Sequence, residues 1–333
     1  MPVVEILLPF RNAGTALHAA IESIAQQSYT DWRLVLVNNN SQEDDVRIAQ
    51  QWCERDARIA LVHEPHSGIA HALNTGLVQC AAPLIARMDA DDIAHPDRLA
   101  RQVEYLIAHP NVGVLGTRTS FETTVEKSSG MRWFVDWQNN ILTPHEHYVK
   151  RFVDAPLAHP TVMFRRELVG QLGGYDTGPL PEDHELWLRW MHHGVRFAKL
   201  PEELLTWHDH ADRLSRTHPN YSVDAFFYTK AKWLAAWIWR RFPSGHPVIV
   251  AGTSGLCRSR ARLLEAAGIA IHAFTDVKPR EVSGYAFIRH DRLPPRGEAL
   301  IVSFISQRGT GDRIAAYFTS LGLVEGEDFI LAA

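Results

Sequence analysis

The stretch Pro83-Leu84-Ile85-Ala86-Arg87-Met88-Asp89-Ala90-Asp91-Asp92 decides the fold. An apolar run ends in this stretch, and three carboxylates follow within four residues. Like charges crowded at the end of a buried strand repel one another unless a cation neutralises them. Asp89 and Asp91 alternate on an extended segment and point to one face, which favours a metal site with hard oxygen ligands. The alternative is an Asp-rich turn that caps a helix starting near Pro96, and it fits Asp92 best.

Short apolar runs alternate with amphipathic segments on both sides of this stretch. Strands are predicted at Ile6–Leu8, Leu34–Val37, Ile59–Val62, Leu84–Met88 and Val112–Leu115, and helices over Thr15–Gln27, through Ile48 and Trp52, over Ile69–Val78 and over Arg98–Ile107. Repeated β-α units with nearly continuous apolar strands indicate an α/β fold, in which helices cover both faces of a mainly parallel sheet.

Three of the predicted strands end in polar residues. The acidic stretch follows the fourth strand, Pro9–Asn12 follows the first, and Asn38–Ser41 follows the second. Ligands of parallel sheets bind at the carboxyl ends of the strands, and these ends share one edge of the sheet. The sequence therefore predicts a polar site on one rim, built from three loops.

The pattern changes twice after the fifth predicted strand. Residues from about Phe121 to Leu214 are irregular and rich in His, Trp and Pro, and we interpret them as α+β elements and loops over the sheet rim. A helix over Tyr221–Arg241 carries an aromatic stripe, which indicates a packed core or, alternatively, a peripheral membrane face. We predict domains at residues 1–218 and 246–333, joined by an aromatic-rich helical connector at 219–245.

The C-terminal part has the layout of a small Rossmann-like α/β unit. A strand at Val248–Ala251 leads into the turn Gly252–Gly255, a helix, a second strand and Asp276, about 20 residues after the turn. Dinucleotide-binding folds use G-x-G-x-x-G, but Ser254 and Cys257 replace the second and third glycines here, so a pyrophosphate approaches the backbone less freely. Two interpretations stay open, a structural unit through which oligomers would assemble and a cofactor-binding unit.

Composition argues against several classes of protein. The 333 residues carry a formal net charge of −4 without a basic stripe, which argues against nucleic-acid binding. No run approaches the roughly 18 apolar residues of a membrane span, and the first residues lack the basic and apolar parts of a leader. Three widely spaced cysteines fit reduced thiols better than a disulfide or zinc framework. We therefore expect a cytoplasmic protein, or one at the inner face of the membrane.

Several ordered motifs resemble the inverting glycosyltransferases of family 2, which have the GT-A fold. The most specific block is Ala86–Leu99, where the Asp-x-Asp motif is followed by Ile93-Ala94-His95-Pro96-Asp97-Arg98-Leu99. The similarity runs from about Val4 to Ser215, and the resemblance implies a GT-A domain that acts on a nucleotide-sugar donor. The other blocks are Leu8–Asn12, Ser23–Tyr29, Gly68–Asn74, His159–Arg166, Gly173–Asp176 and Pro181–Arg189.

The resemblance also assigns the central chemistry. It implies that Asp91 and Asp89, with His210 completing the site, hold a divalent metal that neutralises the departing diphosphate. An imidazole ligand suits Mn²⁺ better than Mg²⁺, although either ion is a candidate, and His210 is alternatively a structural histidine. It implies that Asp183 takes the proton of the acceptor hydroxyl, which gives single displacement with inversion. The alternative for Glu182 and Asp183 is capping of a helix N-terminus before Leu186.

Donor binding follows from the same resemblance, with two departures from the family pattern. Relatives commonly have two aspartates after the second strand, where an acidic side chain accepts the uracil imide hydrogen, but this chain has Asn38-Asn39. The amide of Asn39 accepts and also donates, so a base other than uracil stays open. His208 stands where relatives often have arginine, and Arg87 either binds phosphate or pairs with a neighbouring aspartate. The implied nucleotide-sugar-binding residues are Pro9, Arg11, Asn39, His71, Arg87, Asp89 and Ala90.

These observations predict an enzyme that adds a single sugar, from a UDP-sugar donor, to a glycan or lipid-linked acceptor in surface polysaccharide synthesis. Processive synthesis is disfavoured, because the chain has no apolar membrane span and no Gln-x-x-Arg-Trp block downstream of Asp183. The alternative is a non-catalytic nucleotide-binding or scaffold protein, which Asn38-Asn39 and the incomplete glycine turn would suit. The joint presence of Asp89, Asp91 and Asp183 argues against it.

Overall fold

A computed structural model describes residues 2–278 and 280–333 of the chain, which divides into two compact units. The first unit runs up to His147 and resumes over Pro156–His218. The second unit holds Tyr148–Ala155 and Pro219–Ala333. Among the helices of the described residues, none combines the length and the apolar character needed to cross a lipid bilayer.

An eight-stranded sheet forms the centre of the first unit. Its strands are β1 (Val4–Phe10), β2 (Trp32–Asn38), β3 (Ile59–His63), β4 (Leu84–Arg87), β5 (Ile93–Ala94), β6 (Val112–Thr123), β7 (Met163–Arg165) and β8 (Arg196–Asp209). They lie in the order β3-β2-β1-β4-β7-β6-β8-β5. The first four in space run parallel, as do β6 and β8, whereas β7 is antiparallel to both of its neighbours and β5 to β8. The predicted mainly parallel sheet is confirmed.

Helices cover both faces of this sheet, because its central strands are apolar on both sides. On β1, Ile6 and Leu8 pack with Ile21 of the first helix on one face, while Leu7 packs with Leu73 on the other. The helices are α1 (Thr15–Ala25), α2 (Glu43–Arg55), α3 (Ile69–Gln79), α4 (Arg98–Ala108), α5 (Ser129–Asn139), α6 (Pro144–Lys150), α7 (Glu167–Leu172), α8 (Glu182–His192) and α9 (Leu214–Thr217), and His159–Thr161 forms a 3₁₀ turn.

The segment expected to form α+β elements and loops over the rim differs most from the prediction in its position. It contributes two strands to the sheet itself, with β7 inserted between β4 and β6 and β8 paired along β6. The fifth predicted strand continues past Leu115 as far as Thr123. The far halves of β6 and β8 carry polar residues, and the pairing shifts register at Thr117–Thr119, so neither half shows the uninterrupted apolar run of a buried parallel strand.

A five-stranded, entirely parallel sheet forms the second unit, which confirms the predicted Rossmann-like arrangement. The elements are α10 (Val223–Arg241), β9 (Val248–Ala251), α11 (Gly255–Ala266), β10 (Ile271–Asp276), β11 (Ala286–Arg289), β12 (Leu300–Ser303), α12 (Gly311–Ser320) and β13 (Phe329–Leu331), with 3₁₀ turns at Pro219–Tyr221 and His290–Arg292. The strands lie in the order β11-β10-β9-β12-β13. Strands β11 and β13 were not predicted from the sequence.

The aromatic helix α10 begins at a capped N-terminus, where the Ser222 hydroxyl accepts from the backbone N–H of Ala225. Trp237 is buried and its indole N–H donates to the Tyr148 hydroxyl at 2.7 Å. Tyr228 and Trp239 stay exposed. The aromatic stripe is therefore divided between packed and exposed positions.

Candidate functional site

The carboxyl ends of β2, β1 and β4 lie side by side in the first unit. In the parallel pairing, Phe10 stands opposite Asn38, and Leu7 stands opposite Arg87. The backbone N–H of Met88 continues this pairing by donating to the Leu7 carbonyl at 3.0 Å. The three polar segments predicted at strand ends therefore share one edge of the sheet. The acidic segment follows β4, which is an inner strand of the sheet.

Three carboxylates meet at this edge. Asp89, Asp91 and Asp92 each offer an oxygen, and these atoms lie within 4.8 Å of one another. Asp92 is fully buried: its Oδ1 accepts from the backbone N–H of His208 at 2.9 Å, and its Oδ2 has no hydrogen-bond partner among the described residues. Burial, together with the charges of Asp89 and Asp91, raises the pKa of Asp92 well above its ordinary value.

The alternative role considered for Asp92, as the cap of the following helix, is wrong. Helix α4 begins at Arg98 with Asp97 at the N-cap position. Asp92 instead anchors the acidic loop to the end of β8 through the bond to His208. An Asp-rich turn can cap a helix only where the chain enters it directly, and here the short strand β5 intervenes.

The end of β8 also brings a histidine to the acidic cluster. His210 Nε2 lies 3.0 Å from Asp91 Oδ2. Carboxylate oxygens and one imidazole form a donor set suited to a divalent cation, and the buried Asp92 oxygen without a partner is a polar atom that such an ion would satisfy. The residues present therefore fit a divalent metal.

Two arginines approach Asp89 from different elements. Arg87 is buried on β4 and forms an ion pair with the Asp89 carboxylate, which is the pairing considered as the alternative to phosphate binding. Burial acts to lower the pKa of Arg87, but the charges of Asp89 and Asp92 outweigh it, so the pKa is raised. Arg213 Nη2 lies 3.9 Å from Asp89 Oδ2, and its guanidinium stacks over the Trp207 ring at 4.7 Å.

Arg213 was missed in the sequence. It lies between β8 and α9, and one guanidinium nitrogen donates to the His208 carbonyl at 3.0 Å. It therefore supplies a cation beside His208, the position where the resemblance implies an arginine. The signal in the sequence was the cluster Asp212-Arg213-Leu214-Ser215-Arg216, which contains two arginines directly after the predicted metal histidine. Arg216 is used elsewhere, since it forms a bidentate pair with Asp209.

Asp183 lies in the first turn of α8 and is half-buried. Its Oδ1 accepts from the backbone N–H of His184 at 2.7 Å. The pKa of Tyr175 is raised mainly by burial, and the negative charges of Glu182, Asp183 and Asp89 add to this effect. The Tyr175 hydroxyl lies 2.8 Å from His159 Nε2.

The side chain of Asn39 is bonded to the loop that follows β3. Its Nδ2 donates to the carbonyls of Glu64 and His66 at 3.2 and 2.7 Å, and its Oδ1 accepts from the backbone N–H of Gly68 at 2.8 Å. The side chain is buried and joins the end of β2 to the segment between β3 and α3. These bonds give Asn39 a structural task that the sequence did not indicate.

The other predicted donor residues are spread along the same edge. Pro9 is buried at the end of β1, Arg11 is exposed just after it, and Ala90 is buried between the two aspartates of the motif. His71 is half-buried in the first turn of α3, and its ring lies 5.7 Å from that of His66.

Two further acids shape the rim and were not singled out in the sequence. Asp45, buried in the first turn of α2, accepts from the backbone N–H groups of Ala13 and Gly14 at 2.6 and 3.0 Å. Glu64 accepts from the Thr75 hydroxyl and from the backbone N–H of His66, and these bonds lower its pKa to about 2. Both acids hold loops at the strand ends by hydrogen bonds to backbone groups, which is a role that composition alone does not reveal.

Comparison with known proteins identifies the class of this α/β protein. The family described as Glycosyl transferase family 2 matches residues 5–173, more than half of the chain. EpsE of Bacillus subtilis (strain 168) is 31% identical over 228 residues, covering 67% of this chain and 79% of EpsE. The amylovoran biosynthesis glycosyltransferase AmsE of Erwinia amylovora is 31% identical over 190 residues, covering 57% and 69%. The chain belongs to glycosyltransferase family 2, as its motifs implied, and it is a glycosyltransferase.

Solved structures show the fold. S. aureus TarS 1–349 in complex with UDP-GlcNAc is similar with a TM-score of 0.57 and 13% identity, over 79% of this chain and 71% of that one. The mannosyltransferase PcManGT from Pyrobaculum calidifontis, in complex with GDP-Man and Mn²⁺, gives 0.50 and 20%, over 80% and 73%. The predicted GT-A fold is thereby confirmed.

Proposed function

We propose that this glycosyltransferase moves a single hexose from a nucleotide-sugar donor to a glycan or lipid-linked acceptor, with inversion and with the help of Mn²⁺ or Mg²⁺. The observation that carries the proposal is the cluster of Asp89, Asp91 and Asp92 with His210 at the edge of the sheet. The name of AmsE, which refers to amylovoran biosynthesis, supports a role in surface polysaccharide synthesis. We assign this activity to residues 1–218, in the cytoplasm or at the inner face of the membrane.

Asp91, Asp89 and His210 are the residues that would hold the metal. A divalent cation bound by them supplies positive charge that stabilises the diphosphate as it leaves. Asp92, anchored by the His208 backbone, fixes the loop that presents these ligands. Arg87 holds Asp89 through a buried ion pair, so the carboxylate is oriented before any ligand arrives. The Mn²⁺ in the PcManGT complex supports manganese as the ion to test first.

Asp183 is the proposed base. Its carboxylate would accept the proton of the acceptor hydroxyl while that oxygen forms a bond to the anomeric carbon and the bond from this carbon to the diphosphate breaks. Because the acceptor enters on the side opposite the leaving group, the product has inverted configuration. The bond from the His184 N–H to Asp183 Oδ1 leaves the carboxylate anchored at one oxygen at the helix start.

Arg213 is proposed to assist at the diphosphate. Its guanidinium is held by the Trp207 ring and the His208 carbonyl, and lies 3.9 Å from Asp89. A positive charge fixed in this way beside the carboxylates would bind phosphate oxygens once the donor enters. It would thus replace the arginine that relatives often have at the position of His208.

UDP-sugars are the proposed donors, supported by the UDP-GlcNAc bound in TarS. Because both ends of the Asn39 amide are bonded to the loop after β3, this amide is not the group proposed to select the base. The contacts that select the base would then come from backbone groups of the loops after β1 and β2. Backbone N–H and C=O groups can form hydrogen bonds with several bases, whereas a carboxylate only accepts hydrogen bonds.

A screen of nucleotide sugars tests the proposal. Thermal stability of the full chain is measured with UDP-, GDP- and TDP-sugars, with Mn²⁺ and with EDTA, because a bound ligand raises stability with the logarithm of its saturation. We expect at least one donor to stabilise the protein only with metal, and transfer from that donor to give a product of inverted anomeric configuration by NMR. Equal stabilisation with Mn²⁺ and with EDTA, and no sugar transfer, would favour a non-catalytic nucleotide-binding protein.

A further inference from the structure

Helix α3 links the carboxyl edge of the first sheet to the helix that carries Asp183. It begins directly after Gly68, whose backbone N–H donates to Asn39 Oδ1 at 2.8 Å. Helices α3 and α8 contribute to one hydrophobic core, in which Leu73 of α3 and Trp187 of α8 are both buried. Because apolar contacts are non-directional, the exact position of α8 over this core depends on polar contacts.

Asn74 of α3 holds a short segment that precedes α8 by two hydrogen bonds. Its Nδ2 donates to the Tyr175 carbonyl at 2.8 Å, and its Oδ1 accepts from the Tyr175 backbone N–H at 2.9 Å. One side-chain amide therefore satisfies both backbone polar groups of a buried residue. Since hydrogen bonds are directional, the pair fixes both the distance and the orientation of Tyr175 relative to α3.

Helix α8 holds the same segment through Arg189. This side chain is anchored in its own helix by an ion pair with the buried Glu185 at 3.0 Å. Its guanidinium donates to three successive backbone carbonyls, those of Leu172, Gly173 and Gly174. The segment 173–175 is thus bonded to α3 by one side chain and to α8 by another, and it joins the two helices.

The glycine at position 174 allows the close approach of Asn74. A Cβ on Gly174 would lie 2.6 Å from Asn74 Oδ1, whereas the nearest atom of another residue, Leu77 Cδ1, would be 3.3 Å away. The φ angle of Gly174 is not positive, so its backbone suits an L side chain. The glycine is therefore required by the Asn74 amide and not by the conformation of the turn.

We propose that Asn74 is a positioning residue for sugar transfer, which holds α8, and with it Asp183, in place through the segment 173–175. The inference rests on the proposed function, in which Asp183 is the base. Arg189 follows Asp183 by six residues in one helix, about 9 Å along its axis. A displacement of the segment is therefore passed on to the carboxylate, and a displacement of about 1 Å can slow a reaction about 10²-fold.

Amide hydrogen exchange of the full chain tests whether Asn74 holds α8. The wild type is compared with Asn74→Ala and with Thr75→Val, a control that removes the bond from the neighbouring α3 residue to Glu64. We expect the amides of Glu185 and Leu186 in α8 to exchange about tenfold faster or more in Asn74→Ala. In Thr75→Val they are expected to exchange at the wild-type rate, because that hydroxyl does not bond to the segment 173–175.

Kinetics test the consequence for transfer. Asn74→Ala is expected to lower kcat about 10- to 100-fold, while UDP affinity in Mn²⁺ stays within about twofold, because α8 moves and the metal ligands do not. Gly174→Ala is expected to lower kcat about tenfold in the wild type and to change it little in the Asn74→Ala background, where the clashing oxygen is gone. A merely structural role of Asn74 would not separate kcat from UDP affinity.

Three results would overturn the inference. The first is wild-type exchange of α8 in Asn74→Ala, and the second is an equal loss of turnover from Gly174→Ala in both backgrounds. The third is faster exchange of α8 with normal turnover, because Asn74 would then hold the helix without effect on transfer. Failure of the donor screen would concern the proposed function instead, since the exchange measurement requires neither donor nor transfer.

Discussion

His210 Nε2 lies 3.0 Å from Asp91 Oδ2, where the chain leaving β8 meets the acidic loop after β4. Residues that are 119 positions apart in the sequence thus form one donor set. We predict that His210→Ala weakens Mn²⁺ binding by about tenfold or more, because one ligand and the partner that orients Asp91 are lost. Mn²⁺ titration followed by electron paramagnetic resonance measures this. His208→Ala is the matched control, since His208 Nε2 faces Glu122 at 3.6 Å, and equal losses in both variants would contradict the assignment.

Asp183→Asn separates binding from chemistry. The amide keeps the size of the side chain and the bond to the His184 N–H, but it takes up no proton. We predict that the turnover rate falls about 10²- to 10⁴-fold while UDP affinity stays the same. Release of UDP from the donor and calorimetry with UDP give the two quantities. Asp176→Asn, in the loop before α8, serves as control, and unchanged turnover in Asp183→Asn would remove Asp183 from the role of base.

The buried ion pair of Arg87 with Asp89 predicts a large loss of stability on truncation. Arg87→Met retains an apolar stem but leaves Asp89 without its buried cation, which costs about 3–5 kcal/mol of unfolding free energy. The control is Arg101→Met, which removes the exposed pairs with Glu104 and Glu202 and costs less than about 1 kcal/mol. Urea unfolding measures both. Similar losses would show that the Arg87 pair is no stronger than a surface pair.

Asn39→Asp introduces the acid that the family resemblance implies after the second strand. Here the carboxylate would face the carbonyls of Glu64 and His66, to which the amide now donates. We predict a loss of about 1–3 kcal/mol in unfolding free energy and no gain in UDP affinity. Urea unfolding and UDP titration in the presence of Mn²⁺ test this. A variant with unchanged stability and tighter UDP binding would return Asn39 to the role of base reader.

The lowered pKa of Glu64 predicts that part of the folding stability is lost at acid pH. Its pKa is lowered from 4.5 to about 2 in the folded chain, mainly by the Thr75 hydroxyl. A carboxylate with a depressed folded pKa stabilises the fold above its unfolded pKa and loses this contribution as pH falls. We therefore predict that the stability difference between the wild type and Glu64→Gln is constant above about pH 5 and shrinks between pH 4.5 and about 2. A difference that stays constant down to pH 3 would contradict the hydrogen-bonded carboxylate.

Much of the fold followed from local sequence patterns. The strands β1 to β4 are continuous apolar runs, and their order along one edge follows from parallel pairing, so the acidic stretch and the two Asn- and Pro-containing loops were placed together correctly. The C-terminal halves of β6 and β8 were not predicted, because their polar residues pair with each other across the two strands. The hydroxyls of Ser120 and Thr206, for example, are 3.0 Å apart. Such pairing is a long-range fact that hydrophobic periodicity does not record.

The site was predictable where residue type limits the chemistry. Three carboxylates after a buried strand have few explanations, and they do form a cluster. Contacts of single side chains were less accessible to prediction. Asn39 bonds to the loop after β3, and Arg213 stacks on Trp207 and lies near Asp89. Both depend on which backbone carbonyls and rings the folded chain brings nearby, and a single sequence contains no record of that.

Titration of the protein with UDP, in Mn²⁺ and then in EDTA, tests the central claim most directly. We propose that the acidic cluster binds the metal through which the protein holds its nucleotide donor. The wild type is therefore predicted to bind UDP with Mn²⁺ and to lose most of this affinity in EDTA. Asp91→Asn is predicted to bind UDP weakly in both conditions. Equal affinity of the wild type in Mn²⁺ and EDTA, matched by Asp91→Asn, would contradict the account.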